Sequence, residues 1–132
     1  MTYYAGNCWR LSRGEPKGHI WIIIKKLASK EWVIVNITSL KINERREAFK
    51  DKSCVLDPQI PEDEQILKMW FKKPKESIVL YGRTDIISES QLDTYSKNKV
   101  EDAPSALVDR ILAGAQQSEH TPNNIKKKIL NK

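Results

Sequence analysis

The chain has 132 residues, 39% hydrophobic and 30% charged, a balance that fits one globular domain with a single core and excludes a disordered chain. A formal net charge of +6 draws it toward polyanions at long range, so nucleic acid enters the classes of partner to weigh. The longest apolar run, residues 20–24, is far short of the roughly 18 residues a membrane span needs, and Met1-Thr2-Tyr3-Tyr4 lacks the basic and apolar stretches of an export signal. A cytoplasmic protein with no membrane partner is therefore the expectation.

Residues 7–11 have the character of a short first strand, followed by a basic loop over residues 12–18 marked by Gly14, Pro16 and Gly18. Residues 19–26 and 31–38 are β-branched runs separated by a short connection, the pattern of an antiparallel hairpin. Alternation then sends Ile20, Ile22 and Ile24 to one side and Trp21, Ile23 and Lys25 to the other. The polar, charged stretch 41–52 reads as a long surface loop. Residues 53–56 form a short strand that Pro58 and Pro61 bring to an end. Residues 66–71 and 77–81 are further strand candidates on either side of Lys72-Lys73-Pro74-Lys75, and Gly82-Arg83 leads into residues 84–87.

Ser88-Glu89-Ser90-Gln91 has the spacing of a capping box, which predicts a short helix through Tyr95. Asp102-Ala103-Pro104 opens the clearest helix, with Leu107, Val108, Ile111, Leu112 and Ala115 at helical spacing, and residues 125–130 add a last turn or two. The expected fold class is mainly β with C-terminal helices. One domain spans residues 1–132, with a small curved antiparallel barrel over residues 7–87 and a helical part over residues 88–132.

Cys8 and Cys54 are the only cysteines, lie far apart and sit among strand-like residues, so reduced buried thiols are expected. Together with His19 and His120 they show no paired ligand spacing, and neither a metal site nor a cofactor is expected. Asp57, Glu62, Asp63 and Glu64 read as a solvated acidic loop after Pro58. Trp9, Trp21, Trp32 and Trp70 read mostly as packing residues, with at most one facing a ligand. The cation excess lies in the first fifty-two residues, either as solvated loop charge or as a nucleic-acid surface.

Three segments carry a family resemblance. Gly18-His19-Ile20-Trp21-Ile22-Ile23-Ile24 resembles the loop-to-strand passage of MazF/PemK toxins, and Trp32-Val33-Ile34-Val35-Asn36-Ile37-Thr38-Ser39 resembles their next strand with its terminal Thr-Ser. Ser77-Ile78-Val79-Leu80-Tyr81 through Ser88-Glu89-Ser90-Gln91-Leu92 resembles the later strand pair and capped helix. The resemblance covers roughly residues 7 to 95 and implies an SH3-like small barrel, a homodimer, an antitoxin partner, and metal-independent endoribonuclease activity in a toxin–antitoxin or phage-defence system. It puts Thr38 at the family's catalytic threonine and Ser39 beside it. The family's Arg-Pro is absent, and His19 stands near its place.

Antiparallel pairing alone brings His19 close to Thr38 and Ser39, because the start of one hairpin strand lies beside the end of the other. The candidate catalytic residues are therefore His19, Thr38 and Ser39, with Arg13, Lys17 and Lys25 as candidate RNA-binding cations. The expected partner is single-stranded RNA or a nucleic-acid-handling protein. The rival reading is a non-catalytic protein- or nucleic-acid-binding module on the same scaffold, favoured by the missing Arg-Pro.

Overall fold

A computed structural model describes residues 2–12, 19–27, 30–39 and 54–130. In chain order its elements are β1 (Cys8–Leu11), β2 (His19–Leu27), β3 (Glu31–Ser39), β4 (Val55–Leu56), α1 (Pro61–Trp70), β5 (Ser77–Ser88), α2 (Glu89–Asp93), a 3-10 turn (Ser96–Asn98), β6 (Lys99–Val100), α3 (Ser105–Gln117) and α4 (Asn123–Leu130). The expected loop over residues 41–52 lies outside the described residues.

The six strands form one sheet in the order β4-β5-β3-β2-β1-β6, and every pairing is antiparallel. At its centre the β2–β3 hairpin pairs Ile20 with Ile37 and Ile22 with Val35. The edge strands β4 and β6 are two residues each, which limits the unpaired backbone they offer to another chain. Among the described residues no pairing joins β4 to β6, so the six strands form a sheet that does not close into the small curved barrel expected over residues 7–87.

Helices take the place of closure. Ile20, Ile22, Ile24, Val33, Val35, Ile37, Val79 and Tyr81 form one core with Leu67 and Trp70 of α1, Leu107, Val108, Ile111 and Ala115 of α3, and Ile125 and Ile129 of α4. The five central residues Ile22, Ile24, Val33, Val35 and Ile37 are at most 1% exposed. On the other face Trp9, Leu11, Trp21, Ile23, Trp32, Ile34 and Ile87 pack with Tyr3 and with Leu92 of α2. The sheet is thus buried on both sides, which explains apolar runs in place of strict alternation.

α1 corrects the expected strand over residues 66–71 and the expected acidic loop. Pro61 occupies the first turn, where its missing N–H costs nothing, and Glu62, Asp63 and Glu64 complement the positive end of the helix dipole. Its buried residues Asp63, Leu67 and Trp70 recur at helical spacing. β6 is a second departure, since residues 99–100 return to the sheet beside β1 from within the part expected to be helical.

A third departure concerns Lys25. The β2–β3 register shifts between Ile23 and Lys25, and Lys25 pairs with Val33. This bulge turns its side chain away from the side of Trp21 and Ile23, and its Nζ donates to the Ile129 carbonyl of α4 at 2.7 Å. Half of the expected α2 capping box forms: Ser88 Oγ accepts from the Gln91 amide at 3.3 Å, but Gln91 Nε2 donates forward to the Tyr95 hydroxyl instead of back to the cap, and the helix ends at Asp93, short of Tyr95. No described helix is long and apolar enough to cross a membrane.

Candidate functional site

The candidate site lies at the end of the sheet where β2 and β5 begin and β1 and β3 end. Ile20 pairs with Ile37, both on the helix-covered face. One residue further along, strand alternation turns His19 and Thr38 to the opposite face, the face of Trp21 and Asn36, which are themselves paired. The flanking strands add Leu11, opposite His19, and Ile78, opposite Thr38. His19, Asn36 and Thr38 thus interrupt an otherwise apolar surface with an imidazole, an amide and a hydroxyl.

Asn36 is fully buried and Thr38 is 6% exposed, whereas His19 at the strand start is half-buried. Thr38 Oγ1 lies 3.5 Å from the Ser39 carbonyl, the outer limit of a hydrogen bond. Ser39 pairs with Ser77 of β5 and, by alternation, points to the helix-covered side. The expected trio therefore divides, with His19 and Thr38 on one face and Ser39 on the other. Arg13 and Lys17 lie outside the described residues. Lys25 sits six positions along β2 from His19, held at the C-terminal end of α4.

The four tryptophans are all packed, at 2% to 4% exposure. Trp9, Trp21 and Trp32 belong to the face that carries His19 and Thr38, while Trp70 belongs to the helix side and donates from Nε1 to the Glu101 carbonyl at 2.9 Å. Lys99 lies over the Trp9 ring and Lys26 over the Trp32 ring, at 5.8 and 5.4 Å. Arg10 donates to the Trp70 carbonyl and lies 5.6 Å from the centre of the Phe71 ring, so it ties the end of α1 to β1.

Two polar clusters escaped the sequence reading because each joins residues far apart in the chain. Arg110 of α3 meets the buried Asp63 of α1, and Asp102 accepts from Tyr4, Asn7 and Lys99. Burial works against the charge of Asp63, but the Arg110 guanidinium and the Asp57 amide outweigh it and hold the carboxyl below the usual range. The amphipathic spacing of α1, with Asp63 on its apolar stripe, was the available signal. The first cluster fastens α1 and α3 to β4 through the Val55 carbonyl, and the second ties the N-terminal residues Tyr4 and Asn7 to the segment after β6. Among the described residues no three His, Cys, Asp or Glu side chains assemble into a metal-binding group.

No family model, curated protein or solved structure matches this chain, so the reading rests on its own residues and their geometry.

Proposed function

We propose that the protein binds single-stranded RNA at the sheet end carrying His19 and Thr38, as a PemK/MazF-like toxin-type protein, and that these two residues serve metal-independent RNA cleavage. The observation that carries the reading is the β2–β3 register, which makes an imidazole and a hydroxyl neighbours on one face. In the reaction the His19 imidazole takes the proton of a ribose 2′-hydroxyl, whose oxygen attacks the adjacent phosphorus. Thr38 donates to a phosphate oxygen as negative charge develops there. The bond from phosphorus to the 5′-oxygen breaks, that oxygen takes up a proton, and a 2′,3′-cyclic phosphate remains.

The SH3-like small-barrel type of the fold belongs to the same proposal. Its support is the register shifts between Ile23 and Lys25 and between Ile34 and Asn36, irregularities that bend a sheet. A homodimer and an antitoxin partner rest on the resemblance alone.

The depth of Thr38 favours a second reading. A hydroxyl 6% exposed and facing the Ser39 carbonyl suits a module that binds without cutting. Incubating purified protein with RNA in EDTA separates the two. Cleavage leaving cyclic-phosphate ends, reduced about 10²- to 10⁴-fold in folded His19→Ala and Thr38→Ala variants, is the result expected of the enzyme. RNA binding without cleavage replaces the enzyme with the module, and absence of both ends the RNA reading.

A further inference from the structure

We infer that Lys72, Lys73 and Lys75, in the segment joining α1 to β5, form a phosphate-binding cradle for single-stranded RNA at the same sheet end as His19 and Thr38. The inference rests on the RNA reading and adds where the backbone of the strand is held. The segment enters β5 at Ser77, which pairs with Ser39, the residue after Thr38. β2, β3 and β5 are neighbours in the sheet, so His19 and Ser77 begin strands two spacings apart, about 10 Å at 4.7–4.9 Å per strand. A single strand of RNA laid across the sheet end therefore passes both the His19–Thr38 pair and the mouth of this segment.

The segment is anchored at both of its ends. At its start the Phe71 amide donates to the Leu67 carbonyl at 2.8 Å, and Arg10 of β1 both donates to the Trp70 carbonyl and stacks over the Phe71 ring. At its end the buried Ser77 donates from Oγ to the Lys75 carbonyl at 2.9 Å. A short stretch fastened in this way loses little further freedom when it binds, which is the condition for efficient recognition.

Its charge is unspent. Lys72, Lys73 and Lys75 are exposed, and none of them takes part in an ion pair among the described residues. Glu76 is the one acidic residue in the stretch, leaving a local excess of cations. Other cations of the chain are committed to structure, Lys25 to the Ile129 carbonyl, Arg10 to the Trp70 carbonyl and Arg110 to Asp63. Three lysines presented together fit the phosphates of successive nucleotides, a recognition blind to base sequence.

The test is the salt dependence of binding to a short fluorescein-labelled 2′-O-methyl RNA, which lacks the attacking hydroxyl and so survives the measurement. Wild type is compared with Lys72→Ala/Lys73→Ala/Lys75→Ala and with Lys127→Ala/Lys128→Ala. The last pair removes exposed cations from α4 beside Ile129, near Lys25 and about 20 Å along β2 from His19. Loss of three phosphate contacts should flatten the slope of log K against log salt by about 2, at roughly 0.7 per contact on a single strand, while the α4 variant keeps the wild-type slope. Wild-type binding with an unchanged slope in the triple variant overturns the cradle and leaves the RNA reading standing. Absence of wild-type binding at low salt overturns both.

Discussion

Arg110 of α3 donates to both carboxylate oxygens of Asp63 in α1, at 2.8 and 3.3 Å, and the same guanidinium reaches the Val55 carbonyl of β4. Asp63 also accepts from the Asp57 amide at 3.0 Å, so one carboxylate closes the turn before α1 and fastens that helix to α3. Asp63→Ala leaves the guanidinium and the amide without their acceptor in a largely enclosed site. The expected loss is on the order of 2–3 kcal/mol, less than for a pair buried on both sides because Arg110 stays 43% exposed. Urea unfolding measures it, and a loss below about 0.5 kcal/mol, the level of an ordinary surface change, would show that the pair does not join the helices.

Acid should weaken the fold through the same groups. Burial opposes the charge of Asp63 and of Asp102, but Arg110 and the Asp57 amide for the first, and Lys99, Tyr4 and Asn7 for the second, hold both carboxyls below their ordinary range. The folded chain then binds fewer protons than the unfolded chain near pH 4. Their stabilisation is complete above the unfolded aspartate value of about 3.9 and is lost as pH falls through the lower folded-state values. Urea midpoints followed downward from pH 7 should drop below about pH 4, and an Asp63→Asn/Asp102→Asn variant should start lower and drop less. Equal acid dependence in the two proteins would contradict this assignment.

Two backbone positions make opposite predictions. Gly6 has φ of +105°, and a Cβ there would stand 2.9 Å from the Ala103 carbonyl oxygen, between hydrogen bonds to Ile23 and Ala103. Gly6→Ala should cost about 1–3 kcal/mol, seen as a lowered Tm. Lys30, between β2 and β3, holds a φ of 60° with a side chain attached. Lys30→Gly relieves a left-handed strain of about 1–2 kcal/mol, partly offset by the greater freedom of glycine in the unfolded chain, and should raise Tm slightly.

Cys8 is fully buried, and that burial pushes its thiol up to about 12. A Cys54→Ala variant isolates it. At pH 8 iodoacetamide should leave Cys8 unmodified in the folded protein and alkylate it in denaturant. Rapid, complete labelling of the native variant would mean that this end of β1 opens far more readily than its packing allows.

The β2–β3 hairpin was legible because two β-branched runs face each other across a short connection, Ile20 opposite Ile37 and Ile22 opposite Val35. The stripe of α3 and the Ser88 cap were legible for the same reason, since each is written in local spacing. α1 was not. Its Ile66-Leu67 and Trp70-Phe71 look like strand residues, and the carboxylate on its buried face makes sense only through Arg110, 47 positions away. β6 is too short to carry a pattern, and its pairing depends on the free edge of β1. At the site, pairing alone put His19 and Thr38 at the same end of the hairpin, and alternation carried the separation of Ser39 to the other face. The turn of Lys25 toward α4 depends on a bulge that no alternation rule contains.

The central claim is that RNA engages the end of the sheet where β2 starts and β3 stops. Two-dimensional 1H–15N spectra of labelled protein, recorded while unlabelled 2′-O-methyl RNA is added at low salt, test it most directly. The expected result is a saturable set of shifts confined to His19, Thr38, Ser39, the segment 72–76 and Ser77, with the amides of α4 and of the β2–β3 turn at Lys30 unmoved. Shifts centred on α4 or on that turn, or no shifts at all, would contradict it.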